Sequence, residues 1–182
     1  MKREQSGLVR RLDSLGRIVL PKEYRDILHI HDGDPLTIAI SDNTVRMEKY
    51  QPLNQLVDVS DAFLKAFATT CGGGTCLICN TERVISTRGV SVSDTQLLSP
   101  LVQKYIHEQR LYVSGDPATA ETSDPMTLFG SSSHVIEALY PIGTPGNSLG
   151  AVILLQYRRA TSLEMVSAKL IATMLTELLS EQ

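Results

Sequence analysis

The chain has 182 residues, 42% hydrophobic and 20% charged, with a net charge of −3, a composition that is typical of a folded protein and argues against a disordered one. Its longest apolar run, residues 149–155, is too short to cross a bilayer, so we expect no membrane span. Three cysteines, an odd number, argue against a disulfide framework and favour a reducing compartment, by default the cytoplasm.

The start of the chain is more basic than the rest. Residues 1–25 contain seven Lys or Arg residues and only three Asp or Glu residues, although the whole chain is acidic. A local basic cluster of this kind indicates either a restricted anion-binding face or an ordinary charged surface, and charge alone does not decide between them.

Residues 7–50 are predicted to form short strands joined by tight turns. Strands over residues 7–12 and 17–20 flank a turn-forming Asp-Ser-Leu-Gly segment. Pro21 then opens a short helix that runs to about Leu28. The apolar residues expected on the buried side of this helix are Tyr24, Ile27 and Leu28.

A hairpin follows the predicted helix. Leu36, Ile38 and Ile40 alternate with the smaller Thr37 and Ala39, as on a half-buried strand. Asp42-Asn43 has the chemistry of a tight turn, and residues 44–50 return as a second strand. About 45 residues in short strands can hardly bury enough apolar area to fold alone. We therefore expect this part of the chain to take core from a partner.

A helix is predicted from residue 53 to about residue 70, after the Gln51-Pro52 boundary. Cys71 and the three glycines that follow it end the helix. It either pairs with its copy in a dimer or packs on the following sheet, and the sequence allows both.

The remainder alternates strands and helices and predicts an α/β sandwich with a mainly antiparallel sheet. Residues 75–80 and 83–87 read as a hairpin, Ser99-Pro100 starts a helix to about Arg110, and residues 134–141 and 149–157 read as strands. Residues 114–133 are rich in Ser, Thr, Asp, Gly and Pro, which is typical of a binding loop or lid.

The final helix begins at a capping box, Thr161-x-x-Glu164. Its apolar stripe is wider than one sheet face needs, which suggests self-association. One row of the stripe contains Leu163, Val166, Leu170, Met174 and Leu178.

Residues 7–50 closely resemble the DNA-binding domain of the AbrB family. The matching features are two arginine-bearing strands, a Leu-Gly-Arg turn at residues 15–17, a Pro-x-Glu-x-Arg helix start at residues 21–25, and the closing Lys49-Tyr50. The resemblance implies a swapped-hairpin β-barrel in which two chains interleave. Such a dimer would supply the missing core.

The resemblance also implies double-stranded DNA as a partner. In the family, the DNA face is formed by arginines of the first strands and of the short helix, because guanidinium groups contact both phosphates and base edges. The matching positions are Arg10, Arg17 and Arg25, to which Arg11 and Lys22 would add phosphate contacts.

Asp26 departs from the family pattern, which commonly has a second arginine at this position. A carboxylate facing phosphate would weaken DNA binding or change the preferred sites. Alternatively, Asp26 pairs with Lys22 one helical turn earlier.

From about Leu56 onward the order of elements resembles the C-terminal GAF domain of the stage V sporulation protein T subfamily. The motifs are looser here: residues 76–80, residues 148–155 and the closing helix. The resemblance implies a pocket for a small molecule of unknown identity, and homotetramers in which GAF helices join two DNA-binding dimers. We therefore predict three segments: a DNA-binding domain at 1–52, a linker helix at 53–72 and a GAF-like domain at 73–182.

Two groups of residues have the composition of a metal site but are better explained without a metal. Cys71, Cys76 and Cys79 have the spacing that opens an iron–sulfur site, but a fourth cysteine is missing and Cys76 and Cys79 should face opposite sides of a strand. They are better explained as core residues, with Cys71 left as a candidate redox thiol. His29 and His31 fall in a predicted turn. We predict no bound metal and no cofactor.

Taken together, the residues and the resemblance predict a transcription regulator, active on the nucleoid and concerned with sporulation genes. No nucleophile–base pair, phosphate loop or paired-carboxylate motif is present in the sequence, so we predict no catalytic residues. Two alternatives remain open: an antitoxin-like interaction protein with the same N-terminal fold, and a GAF enzyme that acts through a cysteine.

Overall fold

A computed structural model describes residues 8–28, 30, 32–120, 124–130 and 134–180. The chain divides into two compact units, an N-terminal unit that ends at Tyr50 and a C-terminal unit that begins at Gln51. None of the helices in the described ranges is both long enough and apolar enough to cross a membrane. Gly7, His29 and His31, which the sequence analysis discussed, lie outside the described residues.

The N-terminal unit contains one short helix, α1 (Lys22–Ile27), and one hairpin, β1 (Leu36–Ser41) with β2 (Thr44–Lys49). The strands are antiparallel, with Leu36 opposite Lys49 and Ser41 opposite Thr44. Asp42 and Asn43 at the turn have φ values of 48° and 61°. Two consecutive positive φ angles are typical of the type I′ turn that matches strand twist, so the predicted hairpin is confirmed.

The two strands predicted before α1 are absent from the described residues. Residues 8–13 and 17–20 are irregular, and one backbone bond at the turn joins them, from the Asp13 N–H to the Arg17 carbonyl at 3.1 Å. A strand needs a hydrogen-bonded neighbour, and the β1–β2 hairpin of the same chain does not provide one.

The N-terminal unit has almost no core of its own. Within its described residues only Pro21 and Ile30 are buried. Within a single chain the predicted buried side of α1 is wrong, because Ile27 and Leu28 are 67% and 49% exposed and Tyr24 is half-buried. Helical spacing identifies which side is apolar but does not supply the surface that covers it.

The C-terminal unit is built around one five-stranded antiparallel sheet in the order β4-β3-β7-β6-β5. A short 3-10 helix, Pro52–Gln55, precedes it. Its helices and strands, in chain order, are α2 (Val57–Cys71), β3 (Cys76–Asn80), β4 (Val84–Arg88), α3 (Pro100–His107), β5 (Tyr112–Val113), β6 (Ile136–Thr144), β7 (Asn147–Leu155) and α4 (Ser162–Ser180).

The sheet separates two cores. Helices α2 and α4 cover one face, where Cys76 lies, and α3 with the loop before β6 covers the other, where Cys79 lies. The prediction that these cysteines point to opposite faces is confirmed, and both are fully buried. Helix α2 packs on the sheet, as one of the two readings of this segment expected.

Most predicted element types in the C-terminal unit are confirmed, and their ends differ slightly. The Ser99 hydroxyl caps α3 by accepting the Val102 N–H at 3.4 Å, but the helix ends at His107 rather than near Arg110. The two-residue strand β5 was not predicted. The loop after it is anchored by Met126 and Leu128, which are 2% and 0% exposed.

A close contact joins the start of this unit to its sheet. Leu53 is fully buried, and its Cδ1 would lie 2.7 Å from a Cβ built on Gly150 of β7. The same Cβ would lie 2.0 Å from the Cys79 carbonyl oxygen on β3. Strands β3 and β7 therefore approach each other here at a distance that only glycine permits.

Helix α4 begins at the predicted capping box. The Thr161 N–H donates to Glu164 Oε2 at 2.7 Å, and the Glu164 N–H donates to Thr161 Oγ1 at 3.2 Å. The inner side of the helix packs on the sheet through Ile171 and Leu175. Its outer apolar row stays 41–65% exposed: Leu163, Val166, Leu170, Met174 and Leu178.

Candidate nucleic-acid interface

A single carboxylate organises the turn that presents Arg17. Asp13 Oδ1 accepts the backbone N–H groups of Leu15 and Arg17 at 2.9 and 2.8 Å, and Asp13 Oδ2 accepts Arg17 Nε at 2.7 Å. Gly16 completes the turn with a φ of 75°. This local side-chain-to-backbone bonding is an Asx-type turn, which needs an aspartate or asparagine at its first position.

The same bonds keep Asp13 ionised and Arg17 oriented. The Arg17 backbone N–H, followed by its guanidinium, holds the pKa of Asp13 below its ordinary value. The Arg17 side chain nevertheless stays 73% exposed, because only its Nε is bonded to Asp13. Arg17 is thus fixed at its base, and the far end of its guanidinium remains open to an anion.

Helix α1 carries Lys22 and Arg25. Lys22 is the exposed first residue of the helix. Arg25 is half-buried; its Nη1 donates to Asp32 Oδ1 at 3.1 Å, and its Nε is a buried donor with no acceptor among the described residues. Asp32 is 98% exposed, so water and an incoming anion compete for this pair.

Arg10 and Arg11 precede the turn and are both exposed. Arg10 Nη1 makes a contact of 3.3 Å with the Val9 carbonyl. The Tyr24 hydroxyl on α1 accepts the Leu8 N–H at 3.1 Å, which ties this segment to the helix that carries Lys22 and Arg25. The five basic residues that the resemblance selected therefore all belong to one unit.

Asp26 lies exposed on α1. In the described part of the chain it forms no ion pair with Lys22, the alternative that helical spacing allowed. Its carboxylate is therefore open to solvent on the same helix as two candidate DNA-binding cations.

Sequence reasoning missed the acidic partners in this unit. Asp13 could have been found, since an aspartate that opens a tight turn with an arginine four residues later has a local signature. The pair of Lys49 Nζ with Asp34 Oδ2 at 3.0 Å had no such signal, because hairpin folding brings these residues together. Their side chains are only 10% and 16% exposed, so this pair secures the open end of the hairpin.

The cysteines lie in the C-terminal unit. Burial raises the pKa of the Cys79 thiol to about 12 and also raises that of Cys76, so both remain protonated at neutral pH. Cys71 is half-buried, with its Sγ 3.8 Å from Ser167 Oγ. Among the residues that the structure describes, no three metal-binding side chains come together.

Two family models match the chain in adjoining segments. Residues 55–182 match the family described as stage V sporulation protein T C-terminal, transcription factor. Residues 9–54 match the family described as antidote-toxin recognition MazE, bacterial antitoxin.

Two individual relatives are also similar to this chain. Stage V sporulation protein T of Bacillus subtilis is 30% identical over 152 residues, which cover 82% of this chain and 83% of that protein. The transition state regulatory protein AbrB of the same organism is 41% identical over 49 residues, or 27% of this chain and 51% of that protein.

A solved structure has a similar fold. Residues 122 to 287 of a methyl-accepting chemotaxis protein align with a TM-score of 0.52 at 13% identity and cover 70% of this chain and 89% of that one. At this identity the similarity concerns the fold alone.

Proposed function

The chain belongs to the family of stage V sporulation protein T and is a DNA-binding transcription regulator, and from this premise we propose that its N-terminal unit binds double-stranded DNA as a homodimer. The contacting side chains in this proposal are Arg10, Arg11, Arg17, Lys22 and Arg25. The relative's name supports sporulation genes as targets. The proposal also has the protein act in the cytoplasm on the nucleoid.

One observation carries the proposal: the N-terminal unit exposes its cations and its apolar side chains together. Val9 and Ile40 are 86% and 82% exposed, and ten further large apolar side chains of this unit are at least 39% exposed. A second copy would cover them, since a unit with so little buried surface is not stable alone. We propose that the two copies interleave residues 8–20 and their hairpins as a swapped-hairpin barrel.

The proposal is tested by incubating the intact protein with a genomic DNA fragment library at several salt concentrations. If all ten cations of a dimer contact phosphate, the logarithm of the binding constant should fall against the logarithm of salt with a slope of roughly −9. Enrichment of discrete fragments would establish site-selective binding. Salt-sensitive binding without enrichment would contradict a site-specific regulator, and absence of binding at low salt would contradict the proposal entirely.

Asp26→Arg should increase DNA affinity about tenfold at low salt, because it removes a repulsive carboxylate and adds a phosphate contact in each protomer. The salt dependence should steepen by roughly two contacts per dimer. Asp94→Arg makes the same charge change at an exposed position of the C-terminal unit and serves as the control. DNA affinity is measured by fluorescence anisotropy. An equal gain in affinity in both variants would contradict the placement of Asp26 on the DNA face.

The antitoxin reading has support from the family matched over residues 9–54. That reading expects a disordered toxin-binding tail after the DNA-binding fold. The described residues after Tyr50 instead form a folded sheet with two cores. We therefore place the regulator first, with toxin binding as the competing function if no DNA site is enriched.

For the C-terminal unit we propose a GAF-like domain that senses a small molecule and joins dimers into homotetramers through α4. The support for the assembly role is the outer apolar row of α4, which a single chain leaves open to water.

Leu170→Glu should therefore convert tetramers into dimers at micromolar concentration, because it places a carboxylate in the middle of the proposed helix interface. Sedimentation velocity measures the mass. Lys169→Glu, at an exposed neighbouring position outside the apolar row, should leave the tetramer intact. Tetramers that persist in Leu170→Glu would rule out this face.

A further inference from the structure

The C-terminal unit contains a partly open cavity of about 520 Å³, which neither the DNA face nor the outer row of α4 uses. Its volume lies within the range of roughly 300–1,000 Å³ that is typical of small-molecule sites. The cavity lies where the end of α2, the ends of β4 and β7 and the start of α4 meet. Its apolar lining includes Ala68, Leu154 and Leu155.

Glycines open one wall of this cavity. Gly74 and Gly89 both have positive φ values, 99° and 77°. A Cβ on Gly89 would lie 2.4 Å from the Gly74 carbonyl oxygen, and a Cβ on Gly74 would lie 2.4 Å from Glu164 Oε1. A side chain at Gly74 would fill the space beside Glu164, and one at Gly89 would displace the Gly74 backbone, so the two glycines maintain the shape of the wall.

The charged lining is net positive. Arg88, Arg158 and Glu164 line the cavity. Glu164 is 4% exposed, and its carboxylate is already satisfied: Arg158 Nη1 and Nη2 donate to it at 3.0 and 2.9 Å, and the Thr161 hydroxyl donates at 2.9 Å. Arg158 keeps a side chain that is 56% exposed. Arg88, at the end of β4, is exposed and has no ion-pair partner within the described ranges.

We propose that this cavity binds a small organic anion with an apolar body, such as an aromatic or branched carboxylate. Guanidinium forks match the planar geometry of a carboxylate, which Arg88 and the exposed edge of Arg158 would bind. The apolar body would lie on Ala68 and Leu154, with the exposed ring of Tyr157 at the rim.

The position of the cavity connects such a ligand to assembly. Arg158 binds Glu164, which caps α4, and α4 carries the exposed apolar row. The inference rests on the proposed sensory role of the C-terminal unit and names its ligand class. A bound anion should therefore stabilise the C-terminal unit and raise its melting temperature.

Phenylacetate is a suitable probe, because it combines one carboxylate with one apolar ring. Titrated calorimetrically into the intact protein, it should bind saturably with a Kd of about 1 mM. Arg88→Met, which keeps much of the side-chain length and removes the charge, should weaken binding about tenfold. Lys169→Met removes an exposed cation outside the cavity and should change nothing.

Neutral phenylacetamide lacks the charge of phenylacetate, and inorganic phosphate lacks its apolar ring. The two compounds therefore test the charge contact and the apolar contact separately. Much weaker binding of both would support the proposal. Phosphate affinity equal to that of phenylacetate, unaltered binding in Arg88→Met, or no saturable heat up to about ten times the expected Kd would overturn it. DNA binding is measured on the same samples without phenylacetate, so that the two proposals are tested separately. Absence of phenylacetate binding alone counts against the anion site, and absence of DNA binding alone counts against the DNA-binding function.

Discussion

Gly150→Ala should lower the free energy of unfolding of the C-terminal unit by at least about 3 kcal/mol. The added Cβ would lie 2.0 Å from the Cys79 carbonyl oxygen and 3.0 Å from the Asn80 Cα, both backbone atoms of the neighbouring strand. Backbone in the centre of a sheet cannot move away without separating β3 from β7. The Leu53 side chain, 2.7 Å from the same Cβ, would also have to leave its buried position.

Urea unfolding followed by circular dichroism measures this loss. Gly130→Ala is the matched control, because a Cβ at Gly130 meets nothing within 4 Å and its φ is not in the left-handed region. The control should change the midpoint little. If the two variants unfolded at the same urea concentration, the close approach of β3 and β7 at Gly150 would be contradicted.

Arg17→Ala should weaken binding to an enriched DNA site by about 2 kcal/mol, or roughly 30-fold. The expectation follows from the turn: Asp13 fixes the base of the arginine while most of its guanidinium faces solvent. The substitution removes that cation and leaves Asp13 as an uncompensated negative charge beside the DNA. The two backbone bonds to Asp13 Oδ1 do not involve the Arg17 side chain, so the turn should survive.

Arg46→Ala provides the comparison for this experiment. Arg46 is an exposed arginine of the same unit, 72% exposed and paired on the surface with Glu48 at 2.9 Å. It lies outside the proposed DNA face, so its loss should cost little affinity beyond the general effect of one charge. Equal losses in the two variants, measured by anisotropy on folded protein, would mean that DNA responds to net charge and not to the Asp13 turn.

Elements with local chemical signals could be predicted from the sequence. The β1–β2 hairpin followed from alternation around Asp42-Asn43, and the starts of α3 and α4 followed from Ser99 and from the Thr161 to Glu164 box. In each case the determining contact spans a few residues, so neighbours in sequence are also neighbours in space.

Features that depend on distant contacts could not be predicted. The irregular conformation of residues 8–20 reflects the lack of a strand partner within one chain, which alternation cannot reveal. The role of Gly150 depends on Cys79 of the neighbouring strand, more than seventy residues away along the chain. The cavity beside Arg88 and Arg158 arises only when the ends of four elements meet.

The candidate DNA-binding residues could be predicted from the sequence only in part. The resemblance selected Arg10, Arg17 and Arg25 by position, but their acidic partners came only from the structure. Asp13 orders Arg17 through a local turn, whereas Asp32 reaches Arg25 across the segment that follows α1. The second relation depends on how the chain turns between helix and hairpin, which the sequence pattern leaves undetermined.

The opposite orientations of Cys76 and Cys79 give each face of the sheet its own chemical reporter. A thiol reagent should label half-buried Cys71 first and reach the other two only when the packing above them opens. The labelling rate of Cys76 would then report how often the core beneath α2 and α4 opens. The labelling rate of Cys79 would report the same for the core beneath α3. Comparing the labelling rates of Cys76 and Cys79 with and without a ligand or DNA would show which of the two cores opens more often when the protein is bound.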